Sequence, residues 1–313
     1  MISMPGRSHV GPLPELTVEE IEIRHRLQTH IEMLAGTIGE RNVFASQYPQ
    51  LRKAEAYIRK QFDLTGYKVE EQVFKVFNRD VCNIEATLTG VSEKDEILIV
   101  GAHYDAVVNS PAANDNASGV AGILEIARLL YDRKPARTVR FVAFVNEEPP
   151  FFQTKDMGSL VYAKNTRQQK DNIIGMISLE TIGYYSDTEG GQKYPFPFSL
   201  FYPSVGNFIG LVGNLGSRSL VRNSIGLFRK HTAFPSEGVA APGFIPGIDW
   251  SDHWSFWQQG YKALMVTDTA PYRYPYYHTQ QDTPDKIDYD RTARVVAGLA
   301  HMVFGLASTD EPD

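Results

Sequence analysis

Four short runs of apolar residues along the chain predict buried β-strands, since continuous apolar stretches of this length are typical of strands with both faces covered. The runs lie at 96–102, 139–145, 173–179 and 263–267. After the first run, apolar residues recur with helical spacing and predict a helix that begins just beyond a loop. These residues are Val120, Ile123, Leu124, Ala127 and Leu130. We therefore expect an α/β fold, in which ligands bind beyond the carboxyl ends of the strands.

The pattern outside these runs predicts a tether over 1–16 and a single domain over 17–313. Its first helix, at about 18–34, is amphipathic, with Ile21, Leu27, Ile31 and Leu34 as the apolar positions. The other expected elements are a helix at 48–64, strands at 67–77 and 81–89 that can form an antiparallel edge, and a C-terminal helix at 291–306.

A segment at about 184–262 is rich in glycine, proline and aromatic residues. Segments of this kind in enzymes usually form lids and pocket walls. The alternative is an insertion that only packs against the domain. If the segment lines a site, its Phe and Tyr side chains favour an apolar or aromatic residue at the first position of a substrate.

Two histidines and three carboxylates stand at or just beyond the ends of the predicted strands. Two nitrogen and three oxygen donors at one rim of a sheet suit zinc, with cobalt or manganese as substitutes. Because this set exceeds what a closed tetrahedral zinc site takes, it predicts two Zn²⁺ ions that share one carboxylate, and Asp115 is the expected shared ligand. The five residues are His103, Asp115, Glu148, Glu180 and His278.

Two further carboxylates are expected to support this chemistry. Successive residues at a strand end point to opposite sides, so Glu148 can bind metal while Glu147 faces the attacking water as the general base. Asp105 lies two residues after His103 and is placed to accept the free imidazole N–H.

The motifs that contain these residues resemble the M28 family of co-catalytic zinc aminopeptidases. The resemblance covers about residues 45–307, and the order and spacing of all the motifs make it specific. It implies a mixed, mostly parallel central sheet sandwiched by helices, the zinc-exopeptidase or phosphorylase/hydrolase-like fold. The motifs are Gly101-Ala102-His103-Tyr104-Asp105, Asn114-Asp115-Asn116-Ala117-Ser118-Gly119, Asn146-Glu147-Glu148, Ser178-Leu179-Glu180 and Tyr277-His278-Thr279.

Carried over to this sequence, the resemblance implies a role for each residue. His103 and Glu148 would bind one zinc, Glu180 and His278 the other, and Asp115 would bridge them. Tyr277 is similar to a tyrosine that holds the developing oxyanion in some members, and a cis peptide bond is expected after Asp115. Glu180 is a departure, because family members often have aspartate there.

The stretch around Asp252 and His253 also looks like a Ser-Asp-His stretch of many family members. We expect these two residues to line the pocket rather than to bind metal. The implied reaction is hydrolysis of N-terminal peptide bonds in a peptide or aminoacyl substrate.

Composition narrows the range of partners. The net charge is −6 without a basic run, which argues against nucleic acid and anionic membranes. No apolar run is long enough to span a membrane, and the single Cys82 excludes an intrachain disulfide. The first residues lack the apolar core of a signal peptide. If they are the native start, the protein is expected to be cytoplasmic; otherwise a secreted or periplasmic origin stays open.

Three alternative functions remain open on the sequence. A carboxypeptidase or dipeptidase of the same family would need a cationic clamp, for which Arg218, Arg222 and Arg273 are candidates. A glutaminyl cyclase has a similar scaffold but uses one zinc. The third alternative is a binding module without catalysis, which the intact donor set disfavours. The sequence does not fix the oligomeric state.

Overall fold

The central sheet determines where the functional residues lie. The computed structural model describes residues 3–308. Within them, eight strands form one mixed sheet in the order β1-β2-β4-β3-β5-β8-β6-β7. The strands are β1 Val69–Val76, β2 Arg79–Leu88, β3 Glu93–His103, β4 Arg137–Phe144, β5 Asn172–Glu180, β6 Ile209–Gly213, β7 Ser236–Ala240 and β8 Ala263–Thr267.

Helices cover both faces of this sheet. Buried residues of α1, α2, α3, α5 and α8 share the larger core on one face, while α4 and α6 cover the other face. The helices are α1 Val18–Ile31, α2 Tyr48–Thr65, α3 Gly119–Leu130, α4 Gly158–Gln169, α5 Arg218–His231, α6 His253–Gln258, α7 Ala270–Arg273 and α8 Tyr289–Ala307. No helix in residues 3–308 combines the length and apolar character needed to cross a bilayer.

The expected α/β sandwich is confirmed, including the four apolar strands and the helix after the loop. Strands β3, β4, β5 and β8 run parallel, and β1 pairs antiparallel with β2 at the edge. One detail of α1 is wrong: Ile21 is 38% exposed, and Ile23 packs in the core instead. The helix also ends at Ile31 and continues as a wider helical turn over Glu32–Ile38.

The segment at 184–262 does more than form a lid or a wall. It supplies β6 and β7, which extend the sheet beyond β8, together with α5 and α6. The short strands β6 and β7 pair parallel with each other, whereas β6 pairs antiparallel with β8. Their glycines weaken the strand signal in the sequence, which explains why the sequence did not predict them.

The parallel arrangement sets the position of the site. His103 is the last residue of β3, and Glu180 is the last residue of β5. Glu147 and Glu148 follow β4 after a short turn. Since these strands run in the same direction, their carboxyl ends deliver all four side chains to one rim of the sheet.

Candidate metal centre

The five predicted donors meet at this rim. Asp115 comes from the turn Ala113–Ser118 between β3 and α3, and His278 comes from the loop after α7. His103 is fully buried, Asp115, Glu148 and Glu180 are buried, and the imidazole of His278 is partly exposed. The expected cis peptide bond between Asp115 and Asn116 is present.

Asp115 lies between the two histidines. Its Oδ1 atom is 3.2 Å from Nε2 of His103, and its Oδ2 atom is 3.0 Å from Nε2 of His278. Oε2 of Glu180 lies 3.4 Å from Nε2 of His103, and Oε2 of Glu148 lies 3.3 Å from Nε2 of His278. The two oxygens of one carboxylate thus face two separate sets of donors.

The pairing that the resemblance implied, His103 with Glu148 and Glu180 with His278, stays a prediction, and the shortest contacts favour a different one. They associate His103 with Glu180 and His278 with Glu148, because the β3 and β5 ends are adjacent in the sheet while the loop after α7 reaches Glu148. His103, Asp115 and Glu148 also each offer an atom within 4.8 Å of the others. All five donors therefore form one continuous cluster with Asp115 at its centre.

The cluster fits a cation. Three buried atoms have no hydrogen-bond partner of good geometry in the described chain. They are both ring nitrogens of His103 and Oδ2 of Asp115. Burial, together with neighbouring carboxylates, raises the pKa of both Glu147 and Glu148. Against the effect of burial, the two histidines lower the pKa of Asp115. Crowded buried carboxylates repel one another, and divalent cations would remove that cost.

Asp105 organises the centre. Its Oδ1 lies 3.5 Å from Nδ1 of His103 and accepts a hydrogen bond from the backbone N–H of Glu147 at 3.1 Å. Its Oδ2 accepts one from the N–H of Glu148, also at 3.1 Å. The same carboxylate thus orients a histidine donor and fixes the Glu147-Glu148 turn.

Glu147 occupies a different position from Glu148. Its Oε2 is 3.9 Å from Nε2 of His103, the longest of the contacts around that imidazole. Glu148 also accepts a hydrogen bond from the N–H of Val107 at 3.2 Å, which directs its other oxygen toward His278. Glu147 is therefore at the edge of the donor cluster rather than within it.

Three residues that sequence reasoning did not assign hold the donors in place. Asp282 is buried and accepts hydrogen bonds from the N–H groups of Asn114 and Asp115 at 2.8 and 3.0 Å. Ser251 donates to Glu180 at 2.7 Å. Arg41 is fully buried and donates to the carbonyls of residues on both sides of the centre, including Tyr104 at 2.7 Å.

The two residues predicted to line the pocket are buried behind it. Asp252 lies among the acidic groups of the centre, and burial raises its pKa to about 7. His253 instead hydrogen-bonds the carbonyl of Ile248 at 2.8 Å and packs edge-on against Trp257. Burial lowers the pKa of His253 to about 4, consistent with a neutral packing residue.

A pocket opens beside the centre. Glu180 and Tyr277 lie at its inner end, and Tyr277 stacks on His278 with ring centroids 3.9 Å apart. Six further aromatic residues contribute to its walls, five of them from 184–262. They are Tyr194, Phe198, Tyr202, Phe208, Trp250 and Tyr272.

Comparison with known proteins assigns the chain to a family of zinc-dependent peptidases. The sequence profile of peptidase family M28 matches residues 83–303, and the chain belongs to that family. It is 37% identical over 288 residues to the uncharacterized protein YfbL of Escherichia coli (strain K12), covering 89% of this chain and 87% of that one. A probable zinc metalloprotease of Pyrenophora teres f. teres is 26% identical over 311 residues, 87% of this chain and 61% of the relative.

Solved structures share the fold at low sequence identity. The zinc aminopeptidase BSAP from Bacillus subtilis superposes with a TM-score of 0.74 at 16% identity, covering 96% of this chain and 98% of that one. A glutaminyl cyclase from Fimbriiglobus ruber gives a TM-score of 0.68 at 22% identity, covering 95% and 97%. The shared fold thus accommodates more than one reaction.

Proposed function

We propose that this protein is an aminopeptidase that uses two zinc ions to hydrolyse the N-terminal peptide bond of its substrate. The observation that carries the proposal is the position of Asp115 between two sets of donors, each with one histidine and one glutamate. One set contains His103 and Glu180, and the other contains His278 and Glu148. When bound, the ions would supply the Lewis acidity that polarises a peptide carbonyl and acidifies a water molecule.

The protein's own groups carry the proton transfers. Glu147 stands beside the donors without belonging to either set, so it is placed to take the proton of the attacking water and return it to the leaving amine. Burial raises its pKa, which suits a group that must both accept and release a proton near neutral pH. Tyr277, which lines the pocket and stacks on His278, is the candidate donor to the developing oxyanion.

Carboxylates at the inner end of the pocket favour a free amino terminus. Glu180 lines the pocket and Glu147 is buried in the adjoining metal centre, so an α-ammonium group bound between pocket and centre would compensate their charge. The substrate's first side chain would then enter the pocket, whose aromatic and aliphatic walls suit an apolar body.

The described residues offer no support for the cationic clamp that a carboxypeptidase would need to bind a terminal carboxylate. Among the described residues that line the pocket there is no arginine or lysine. Arg273 is buried with its guanidinium bonded to Gln192 and to the carbonyl of Phe208. Arg222 does not line the pocket and donates to the carbonyl of Ser3. The terminal carboxylate of a substrate would therefore lie beside acidic rather than basic groups in this pocket.

Leucyl-anilide and its N-acetylated form provide the test. Acetylation removes the ammonium and leaves buried carboxylates unpaired, at a cost on the order of 2–5 kcal/mol, so the zinc-loaded protein should cleave the free form at least roughly 30-fold faster. Equal rates, or cleavage only beside a free carboxyl terminus, would refute the proposal. A peptide with N-terminal glutamine, assayed for cyclisation without cleavage, separates the glutaminyl cyclase alternative.

A further inference from the structure

Four residues that pair with one another on adjacent strands form a row that leads from the metal centre into the pocket. Glu180 pairs with Thr267, Thr267 with Gly210, and Gly210 with Glu237, on the adjacent strands β5, β8, β6 and β7. Partners in register project to the same face of a sheet. All four residues line the pocket, and three strand spacings separate Glu180 from Glu237 by about 14 Å.

At the middle of this row, Gly210 leaves space above the sheet. Gly210 has no side chain, and a Cβ atom there would meet the carbonyl oxygen of Thr267 at 3.3 Å and narrow the space above the sheet. Val212 and Met265 continue the floor on the same face. A long substrate side chain can therefore lie along an apolar floor from Glu180 toward Glu237.

Glu237 has no partner at the far end of this floor. Within residues 3–308 it makes neither a hydrogen bond nor an ion pair, although its side chain is only partly exposed. The two nearby phenols donate elsewhere, Tyr194 to the carbonyl of Pro203 and Tyr202 to that of Gly238. Arg229 directs its guanidinium to Ser236 and to the N-terminal arm.

An unpaired carboxylate among aromatic walls is costly unless a ligand pairs with it. Burial raises the pKa of Glu237 against the attraction of the Arg229 charge, so its surroundings disfavour its charged form. A cation delivered at the end of an apolar stem would reverse that effect. The side chains of arginine and lysine have this form, because an apolar methylene stem, which can pack on an apolar surface, carries a charged group at its end.

We propose that Glu237 is a specificity-determining residue that selects substrates whose first residue is arginine or lysine. The proposal rests on the aminopeptidase function, since it assigns the pocket to the first side chain. The aromatic walls hold the stem, and Glu237 binds the cationic head. An apolar first residue fills the same walls but leaves the carboxylate unpaired.

Arginine and citrulline differ little in shape but differ in charge, so their anilides isolate the contribution of Glu237. We expect zinc-loaded wild-type protein to have a kcat/KM for arginyl-anilide about tenfold or more above that for citrullyl-anilide, the effect of one half-buried charge pair. Glu237→Gln should bring the ratio close to one and Glu237→Asp should restore part of it. Glu189→Gln, an exposed residue of the same segment, is the control and should leave the ratio unchanged.

A wild-type ratio near one, or a high ratio that survives Glu237→Gln, would overturn the assignment. Failure of the aminopeptidase function looks different, because no aminoacyl-anilide would then be cleaved. Calorimetry with argininamide and citrullinamide decides the question in that case. Tighter binding of argininamide that depends on Glu237 supports the assignment, and equal binding of the two amides overturns it.

Discussion

Arg41 offers the sharpest test of how the protein supports its metal centre. It lies between the first two helical segments, is fully buried, and donates only to backbone carbonyl groups. Burial lowers the pKa of Arg41 to about 10, which leaves it charged at neutral pH. The acceptors are the carbonyls of Leu34, Gly39, Tyr104, Pro111 and Ala112, at 2.7 to 3.3 Å.

Replacement by methionine removes the cation and all five donated hydrogen bonds while keeping an apolar stem. Each buried carbonyl left without a donor costs about 1–3 kcal/mol, less where water enters. The charge also attracts Asp105, Asp115 and Asp282. We therefore expect Arg41→Met to lower the free energy of unfolding by about 3–5 kcal/mol, as when a buried ionic group loses its partner. At about 2–4 °C per kcal/mol for domains somewhat smaller than this one, Tm should fall by roughly 5–10 °C.

Calorimetry and a zinc-affinity titration on the same samples measure both consequences. Zinc should bind more weakly, because residues 111–112 lead directly into the loop that carries Asp115. Arg79→Met is the matched control, since this partly exposed arginine makes a single hydrogen bond, to the carbonyl of Val43, and should change stability by about 1 kcal/mol at most. A Tm for Arg41→Met within roughly 2 °C of wild type, with unchanged zinc affinity, would refute the reasoning.

Three further predictions concern other groups. Glu147→Gln should keep both zinc ions and lose about 10²–10⁴-fold in kcat, whereas Glu148→Gln should weaken one ion; equal metal loss in the two variants would contradict their separate roles. Burial raises the pKa of Asp268 to about 7, so its contribution to stability is full below the unfolded pKa and is lost as pH rises toward 7. Denaturant unfolding should therefore show Asp268→Asn gaining stability relative to wild type between pH 4 and 7, and a difference that does not change with pH would count against this. Chelation of zinc should abolish anilide cleavage and lower Tm, both reversed by added zinc, as expected when a ligand binds only the folded state.

The sequence was informative where local signals are strong. The four apolar strands and their terminal polar residues follow directly from the run lengths, and parallel strands bring such residues to one rim. His103 and Glu180 illustrate this, since each closes a strand of the observed sheet. The motif resemblance placed Asp115 and His278 in the same site, although the loops that carry them have no periodic pattern.

Long-range polar contacts could not be predicted from the local sequence. Arg41 reaches carbonyls up to 71 residues away, and Asp282 accepts from Asp115 at a separation of 167 residues. Nothing in the local sequence distinguishes such buried polar residues from surface ones, because their partners are backbone groups. The resemblance also drew attention to Asp252 and His253, while the contact to Glu180 comes from Ser251 just before them.

The pairing of donors shows a second limit. The order of residues in the chain does not reveal which histidine faces which glutamate, because that depends on strand order. β3 lies between β4 and β5, whose ends lead to Glu148 and Glu180, and the distances bring His103 closest to Glu180. The distances therefore favour a different pairing of individual donors within the same set.

A zinc-loaded crystal structure with anomalous data at the zinc edge tests the central claim most directly. We predict two anomalous peaks roughly 3.5–4 Å apart, with a carboxylate oxygen of Asp115 on each. One peak should lie beside His103 and Glu180, and the other beside His278 and Glu148. A single peak at saturating zinc, with either histidine left uncoordinated, would contradict the account.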